Sequence, residues 1–429
     1  MTQKIIKYKI TDPALFKLQV IEYVRRFDTF CFLDSNDCKK KDNSFDYLIA
    51  FSKINETNNS NDPIHELDHF LNANKNWAFG YLSYDLKNYI ENLDSQNYDN
   101  HAFPVIHFFI PQIILKIKEF ELSIITSLSD SKSFFDELLT EIQSHKLKIK
   151  NTFKVNLKSR VDKATYIKNI HKIKRHLKRG DIYEMNYCQE FYADSILIDP
   201  FSLFFNLNCL SKAPFSSFYR VKNNYILCAS PERFLKRTGN TIISQPIKGT
   251  IKREQDHLVD EENKNKLLNS SKDIAENVMI VDLVRNDLSR FAQKNTVIVN
   301  ELSKLYTYKD VHHLISTISC KIPQNMSVVD IIKSTFPMGS MTGAPKIRSM
   351  ELIEHFESTL RGAYSGSIGY ISPEKEFDFN VIIRSLFYNQ QSKYLSCMVG
   401  GAITLDSDPE SEYQECLIKA KSIFKVLGQ

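Results

Sequence analysis

No Cys-x-x-Cys pair occurs among the eight cysteines of this 429-residue chain, so neither a zinc knuckle nor a disulfide framework is indicated. Scattered thiols of this kind suit a reducing cytosol. Long apolar runs are missing too: the longest, residues 103–115, is interrupted by Pro104, His107, Pro111 and Gln112 and is too short to span a bilayer. The first residues lack the basic-then-apolar pattern of a secretory signal, and the expectation is a soluble, cytoplasmic protein. There is no G-x-G-x-x-G after a strand and no G-x-x-x-x-G-K, which leaves nucleotide binding without support. No internal repeat or low-complexity tract is present. The formal net charge of +5 is small for the length; it admits anionic small molecules without pointing to nucleic acid.

What is there is an ordinary globular composition, 42% hydrophobic and 25% charged, on a chain long enough for one large composite domain or two. Residues 1–150 mix short β-like runs at 30–33, 77–81 and 105–110 with a polar loop at 55–62. A charged segment, 144–160, with Lys146, Lys148, Lys150, Lys154, Lys158 and Arg160, separates them from the region 160–425. A helix is predicted over 163–179, its apolar face formed by Ile167, Ile170, Ile173 and Leu177, stopped by Gly180. Its basic face reads as solvated, because no aromatic platform accompanies it. Beyond it, β-runs at 215–220, 225–229, 241–244, 366–371, 381–388 and 394–399 follow one another. That succession predicts an α+β fold with mainly antiparallel sheets.

Two strand ends carry ionisable groups: Ser-Pro-Glu-Arg-Phe at 230–234 presents Glu232, and Pro-Ile-Lys-Gly-Thr at 246–250 presents Lys248. Together a carboxyl and an amine can protonate a leaving group and attack carbon; alone they equally make a hairpin salt bridge. Two predicted helices add paired acids. Ser270 caps the first, with Asp273 and Glu276 three apart; Asp408 and Pro409 open the second, with Glu412 and Glu415 three apart and Lys419 four further on. Such pairs without His or Cys at ligand spacing suit a hard cation such as Mg²⁺, or serve the helix dipole. The glycines and hydroxyls of 336–345, including Ser340 and Thr342, read as an anion-binding helix start or a plain turn. Arg384 and the Gly400-Gly401-Ala402 amides offer carboxylate clamps, and His313 is a proton carrier or a satisfied core histidine.

These segments, with Gly-Asp-Ile-Tyr-Glu-Met-Asn-Tyr-Cys-Gln at 180–189 and the run 275–287, resemble the chorismate-utilising enzyme family. The resemblance is strongest to its aminodeoxychorismate-forming branch, the component I type. It implies two large, mainly antiparallel sheets packed as a sandwich with helices outside, residues 1–150 woven into it. Glu276 and Glu415 would bind Mg²⁺ directly, with Asp273 and Glu412 behind water. Thr342, Tyr364, Arg384, Gly400, Gly401, Ala402 and Lys419 would hold chorismate, with His313 close to the ring. Glu232 would protonate the departing hydroxyl, and Lys248 would attack the ring, which requires its pKa to be depressed. Glu184 departs from both family patterns at its position, lysine in isochorismate synthases and glutamine in amino-transferring members. Without a glutaminase signature, ammonia is expected from a glutamine amidotransferase subunit. Anthranilate synthase component I, isochorismate synthase and a non-catalytic chorismate-binding subunit remain as alternatives. The family's tryptophan pocket would involve Ser35, Pro214 and Phe215.

Overall fold

The strand Thr29–Asp34 shows how the layers arise: all six residues are buried, and successive side chains alternate between two cores. Phe30 and Phe32 join Phe16, Ile173, Phe201 and Ile423 beneath helices, whereas Cys31 and Leu33 join Phe79, Ile242, Ile368 and Phe379 from other strands. One sheet face is therefore covered by helices and the other by a second sheet, the layering the resemblance implied. The computed structural model describes residues 4–38, 44–128, 132–146, 148–150, 152–309 and 311–429. Positions 1–3 of the start, and 147 and 151 of the charged segment, lie outside the described residues.

The first sheet runs Lys4–Lys9, Glu121–Thr126, Ile106–Lys118, Tyr47–Glu56, Thr29–Asp34, Phe215–Val221, Asn224–Ser230, Ser385–Asn389, Tyr394–Ile403 and Glu184–Ala193, every neighbour antiparallel. The second runs Ala78–Leu82, Ser367–Ile371, Phe377–Asn380, Arg233–Thr238, Thr241–Gln245 and Val311–Lys321, again antiparallel. Ile247–Lys252 and Ile298–Thr307 also pair with Val311–Lys321. The long strand Ile106–Lys118 belongs to both sheets, because its start pairs with Ala78–Leu82 and the rest with Tyr47–Glu56. Aromatic rings lock the helical side: Phe218 lies 5.0 Å from Phe30, 5.0 Å from Phe201 and 4.7 Å from Phe204. Each such pair adds about 0.5–1.5 kcal/mol beyond area burial.

The predicted helix spans Lys163–Arg179, with the Asp162 carboxylate accepting from the Thr165 amide and Gly180 ending it at φ 79°. One β-run is corrected: 381–388 is not continuous, since Phe377–Asn380 and Ser385–Asn389 are separate strands with Arg384 in the break. They pair with different partners in different sheets, which an apolar pattern does not encode. No helix among the described residues is long and apolar enough to cross a membrane.

Candidate active site

Glu232 occupies the two-residue break between Asn224–Ser230 and Arg233–Thr238, where Pro231 cannot donate to a ladder. Lys248 sits differently from the expected turn. Pro246 interrupts one edge of Val311–Lys321, and the register shifts by one residue between Ile247 and Thr250, so Lys248 and Gly249 form a bulge. A bulge re-aims a side chain. Gly249 is needed there: its φ is +86°, and a Cβ would lie 3.2 Å from the Asp273 Cβ.

Both groups open onto one cavity of about 320 Å³ between the sheets and the two acidic helices. Its wall also contains Asp273, Glu276, His313, Tyr364, Arg384, Gly400, Ala402, Glu415 and Lys419, so most of the residues singled out in sequence converge. Three stand behind the wall. Thr342 is fully buried and donates its hydroxyl to the Met338 and Gly339 carbonyls. Glu412 accepts from the Ser407 hydroxyl at 2.7 Å. Gly401 faces the acids, a Cβ there falling 3.1 Å from Glu412 Oε2 and 3.5 Å from Glu415 Oε1.

The acidic helices are Ser271–Ser289 and Pro409–Leu427, capped by Ser270 and Asp408 as their sequences predict. Arg384 adopts φ 54°, a left-handed conformation that costs a non-glycine residue on the order of 1 kcal/mol and brings its side chain to the cavity. Its Nη1 donates to the Lys419 carbonyl at 3.2 Å. The Lys419 ammonium pairs with Glu415 at 2.6 Å and donates to the Gly400 carbonyl at 2.8 Å. His313 Nδ1 lies 2.7 Å from the Thr250 hydroxyl, its cross-strand partner. Ser340, one of the hydroxyls read as an anion-binding helix start, instead holds the Glu232 carboxyl, and the contacts of Asn186 and Lys272 were not foreseen in sequence. Ser340 donates to Glu232 Oε1 at 2.7 Å; Asn186 donates to the Ser340 carbonyl; and Lys272 lies 3.4 Å from Glu412 and 3.8 Å from Glu276. Only the position of Lys272, four before Glu276, left a local trace.

Burial raises the Glu232 carboxyl to about 7, partly opposed by the Ser340 hydrogen bond and the Lys248 charge. A carboxyl at that value holds a proton near neutrality, as a general acid must. Lys248 departs from expectation. Burial pulls its pKa down, but the carboxylates of Glu184 and Glu276 outweigh burial and the net shift is upward. Its Nζ lies 2.6 Å from Glu184 Oε1, a buried ion pair. The resting lysine is an ammonium, not the free amine that attack requires.

The acids fit a divalent cation. Glu276 Oε1 and Glu412 Oε2 are buried without a hydrogen-bond partner among the described residues, and burial raises Glu276 to about 7, with the nearby Glu184 charge adding to the shift. Oxygen donors on facing helices are the chemistry Mg²⁺ selects. Among the described residues no three His, Cys, Asp or Glu side chains converge closely enough to form a full cage, so water or an anionic substrate would complete the shell. A second, small cavity of about 40 Å³ is lined by Ser35, Pro214 and Phe215.

This chain is 41% identical to aminodeoxychorismate synthase component 1 of Salmonella typhimurium over 269 residues, 63% of this chain and 59% of that protein. The aligned stretch thus falls well short of that relative's full length. It is 31% identical to the protein of the same name from Bacillus subtilis over 362 residues, 82% of this chain and 76% of that one. Its fold is shared by anthranilate synthase component I from Streptococcus pneumoniae, with TM-score 0.77, 24% identity and coverage of 88% and 91%. The menaquinone-specific isochorismate synthase of Escherichia coli superposes with TM-score 0.77 at 17% identity, covering 99% of this chain and 95% of that one. Since the family described as chorismate binding enzyme matches residues 28–425, a span that contains every wall residue of the large cavity, the chain belongs to that family.

Proposed function

We propose that the protein converts chorismate and ammonia to 4-amino-4-deoxychorismate with Mg²⁺, in the route to para-aminobenzoate and folate, through a lysine-bound intermediate. The observation that carries this reading is the placement of Lys248 and Glu232 on one cavity beside an acidic cluster and the Arg384 guanidinium. Glu276 and Glu415 would hold the metal, with Asp273 and Glu412 behind it, and the metal would neutralise a substrate carboxylate. Arg384, Lys419 and the Gly400–Ala402 backbone would bind the remaining carboxylate and the ring, with Tyr364 beside them. Thr342 supports the wall from behind.

Chorismate is a cyclohexadiene with an allylic 4-hydroxyl. The Lys248 amine bonds to C2, the two double bonds shift along the ring, and the 4-hydroxyl leaves as water with the Glu232 proton. Ammonia then bonds to C4, the double bonds shift back, and the lysine departs; the excess proton on the new amine returns to Glu232. Covalent catalysis divides one hard displacement into two allylic ones. His313 stands beside the ring as a candidate proton carrier.

Ammonia is assigned to a separate glutamine amidotransferase subunit, and the thiol-bearing chain to the cytoplasm. An anthranilate synthase reading is favoured by relatives such as the anthranilate synthase component I-like protein of Synechocystis, 33% identical over 351 residues. Product identification decides between them. With chorismate, ammonium and Mg²⁺, aminodeoxychorismate is expected from the wild type, and Lys248→Ala should lose at least tenfold of its formation. Fluorescent anthranilate with pyruvate release, or full activity in Lys248→Ala, overturns the reading.

A further inference from the structure

Glu184, in the 180–189 segment, has no role in the proposed function, and its surroundings are specific. It begins the strand Glu184–Ala193, only 1% of its side chain is exposed, and it is not part of the cavity wall. Its backbone carbonyl is fixed by the Ser349 hydroxyl at 3.1 Å, and a Cβ on Gly343 would come within 2.1 Å of that oxygen. The side chain has one contact of consequence: Oε1 lies 2.6 Å from Lys248 Nζ. Its other oxygen, Oε2, is buried and without a hydrogen-bond partner among the described residues. A buried carboxylate behind an amine, with no other hydrogen-bond partner among the described residues, is placed to receive a proton. It is poorly placed to touch substrate.

We infer that Glu184 is a positioning residue that takes the proton from the Lys248 ammonium as the amine bonds to substrate, and returns it when the lysine departs. The inference rests on the aminodeoxychorismate reading above. The balance closes over one turnover. The Lys248 ammonium gives one proton to Glu184 Oε1, and the freed lone pair bonds to C2. When ammonia has bonded to C4, the C2–N bond breaks with its electron pair returning to nitrogen, and Glu184 gives the proton back. Glu232 separately donates its proton to the departing hydroxyl and recovers one from the new amine. The pair ends as it began.

Other groups face the same amine. Glu232 comes from the break after Asn224–Ser230, Glu276 from Ser271–Ser289 and Glu415 from Pro409–Leu427, with Lys272, His313, Arg384 and Lys419 on the surrounding wall. Glu232 is committed to the leaving group and Glu276 to the acidic cluster, and among the described residues Glu184 alone forms an ion pair with Lys248, at 2.6 Å. Asn277 and Ser340, the neutral neighbours, hold the Lys248 carbonyl at 3.5 Å and Glu232 at 2.7 Å respectively.

The test compares Glu184→Gln, Glu184→Asp and Lys248→Ala with the wild type, using chorismate, ammonium and Mg²⁺ from about pH 6 to 8. Glutamine keeps the volume and a hydrogen bond but cannot accept the proton. Its kcat at neutral pH should fall at least tenfold, within the roughly 10²–10⁴-fold worth of a positioned acid or base, while KM for chorismate moves less than about threefold. The ratio of Glu184→Gln to wild-type kcat should climb about tenfold per pH unit, because solvent must now remove the proton that the carboxylate removed. Glu184→Asp should regain part of kcat and abolish that slope. A Glu184→Gln enzyme with wild-type kcat overturns the inference, as does a loss that is uniform across pH. If the wild type makes no aminodeoxychorismate, or Lys248→Ala is fully active, the failure lies in the functional reading instead. Circular dichroism of each variant identifies any loss due to misfolding, and in that event the Asp variant's pH slope carries the decision.

Discussion

Expelling a hydroxyl from carbon requires a proton, and Glu232, the acid proposed for this step, has one to give only below the pH at which it ionises. Burial sets that pH near 7, well above the ordinary glutamate value. The sign is fixed: an acid raised to about 7 is protonated and competent below it, and loses competence as pH rises through it. We expect wild-type kcat to be level from about pH 6 to 7 and to decline above, approaching tenfold per unit. Glu232→Gln should lose roughly 10²–10⁴-fold at pH 6.5, since the amide donates a hydrogen bond but no proton. A level profile to pH 9, or an active Gln variant, removes Glu232 from this role. Glu232 and Lys248 were legible in sequence because Pro231 and Pro246 mark the breaks before them. The ion pair of Lys248 with Glu184 was not: its partner is 64 residues away and meets it only through the packing of separate strands.

Among the elements, the helix boundaries were legible and the strand irregularities were not. Asp162, Ser270 and Asp408 cap with their own side chains, three-residue interactions that a local reading captures. The bulge at Lys248 and the break at Arg384 depend on which strands lie alongside, so no neighbouring residue announces them. The strand Tyr394–Ile403 offers a test in two adjacent glycines. A Cβ on Gly400 would lie 2.3 Å from the Tyr187 carbonyl oxygen and 2.4 Å from Cys188 Sγ, inside the sheet. A Cβ on Gly401 would meet the far ends of Glu412 and Glu415 instead. Gly400→Ala should therefore destabilise the protein, by an overpacking cost of about 1–3 kcal/mol, lowering the thermal midpoint. Gly401→Ala should keep the wild-type midpoint within about 1 °C while raising the Mg²⁺ concentration needed for half-maximal activity severalfold. Equal effects of the two on stability would show that Gly401 does not front the acidic cluster.

For the whole molecule, the order of strands matters more than their identity. Residues 1–150 contribute Thr29–Asp34, which pairs with Phe215–Val221, and Ala78–Leu82, which pairs with Ser367–Ile371, while Ile106–Lys118 spans both sheets. Antiparallel character was legible from successive β-runs; the pairings of Thr29–Asp34 and Ala78–Leu82 with the later region were not, because those partners are separated by more than 180 residues. Such pairing makes two independently stable halves unfavourable, since removing 1–150 would leave open edges on both sheets and uncover the faces of Phe218 and Tyr219. We propose that 1–150 and 160–425 unfold as one unit. The only tryptophan, Trp77, reports on the first region, its ring 5.2 Å from Tyr370 across the interface between the regions. Enzymatic activity reports on the second. In urea the loss of Trp77 fluorescence, far-UV circular dichroism and activity should share one midpoint, the mark of a cooperative transition. A chain beginning at residue 160 should be insoluble or bind a hydrophobic dye. Midpoints separated by more than about 0.5 M urea, or a soluble and folded 160–429 fragment, would show that the N-terminal region is a separable domain.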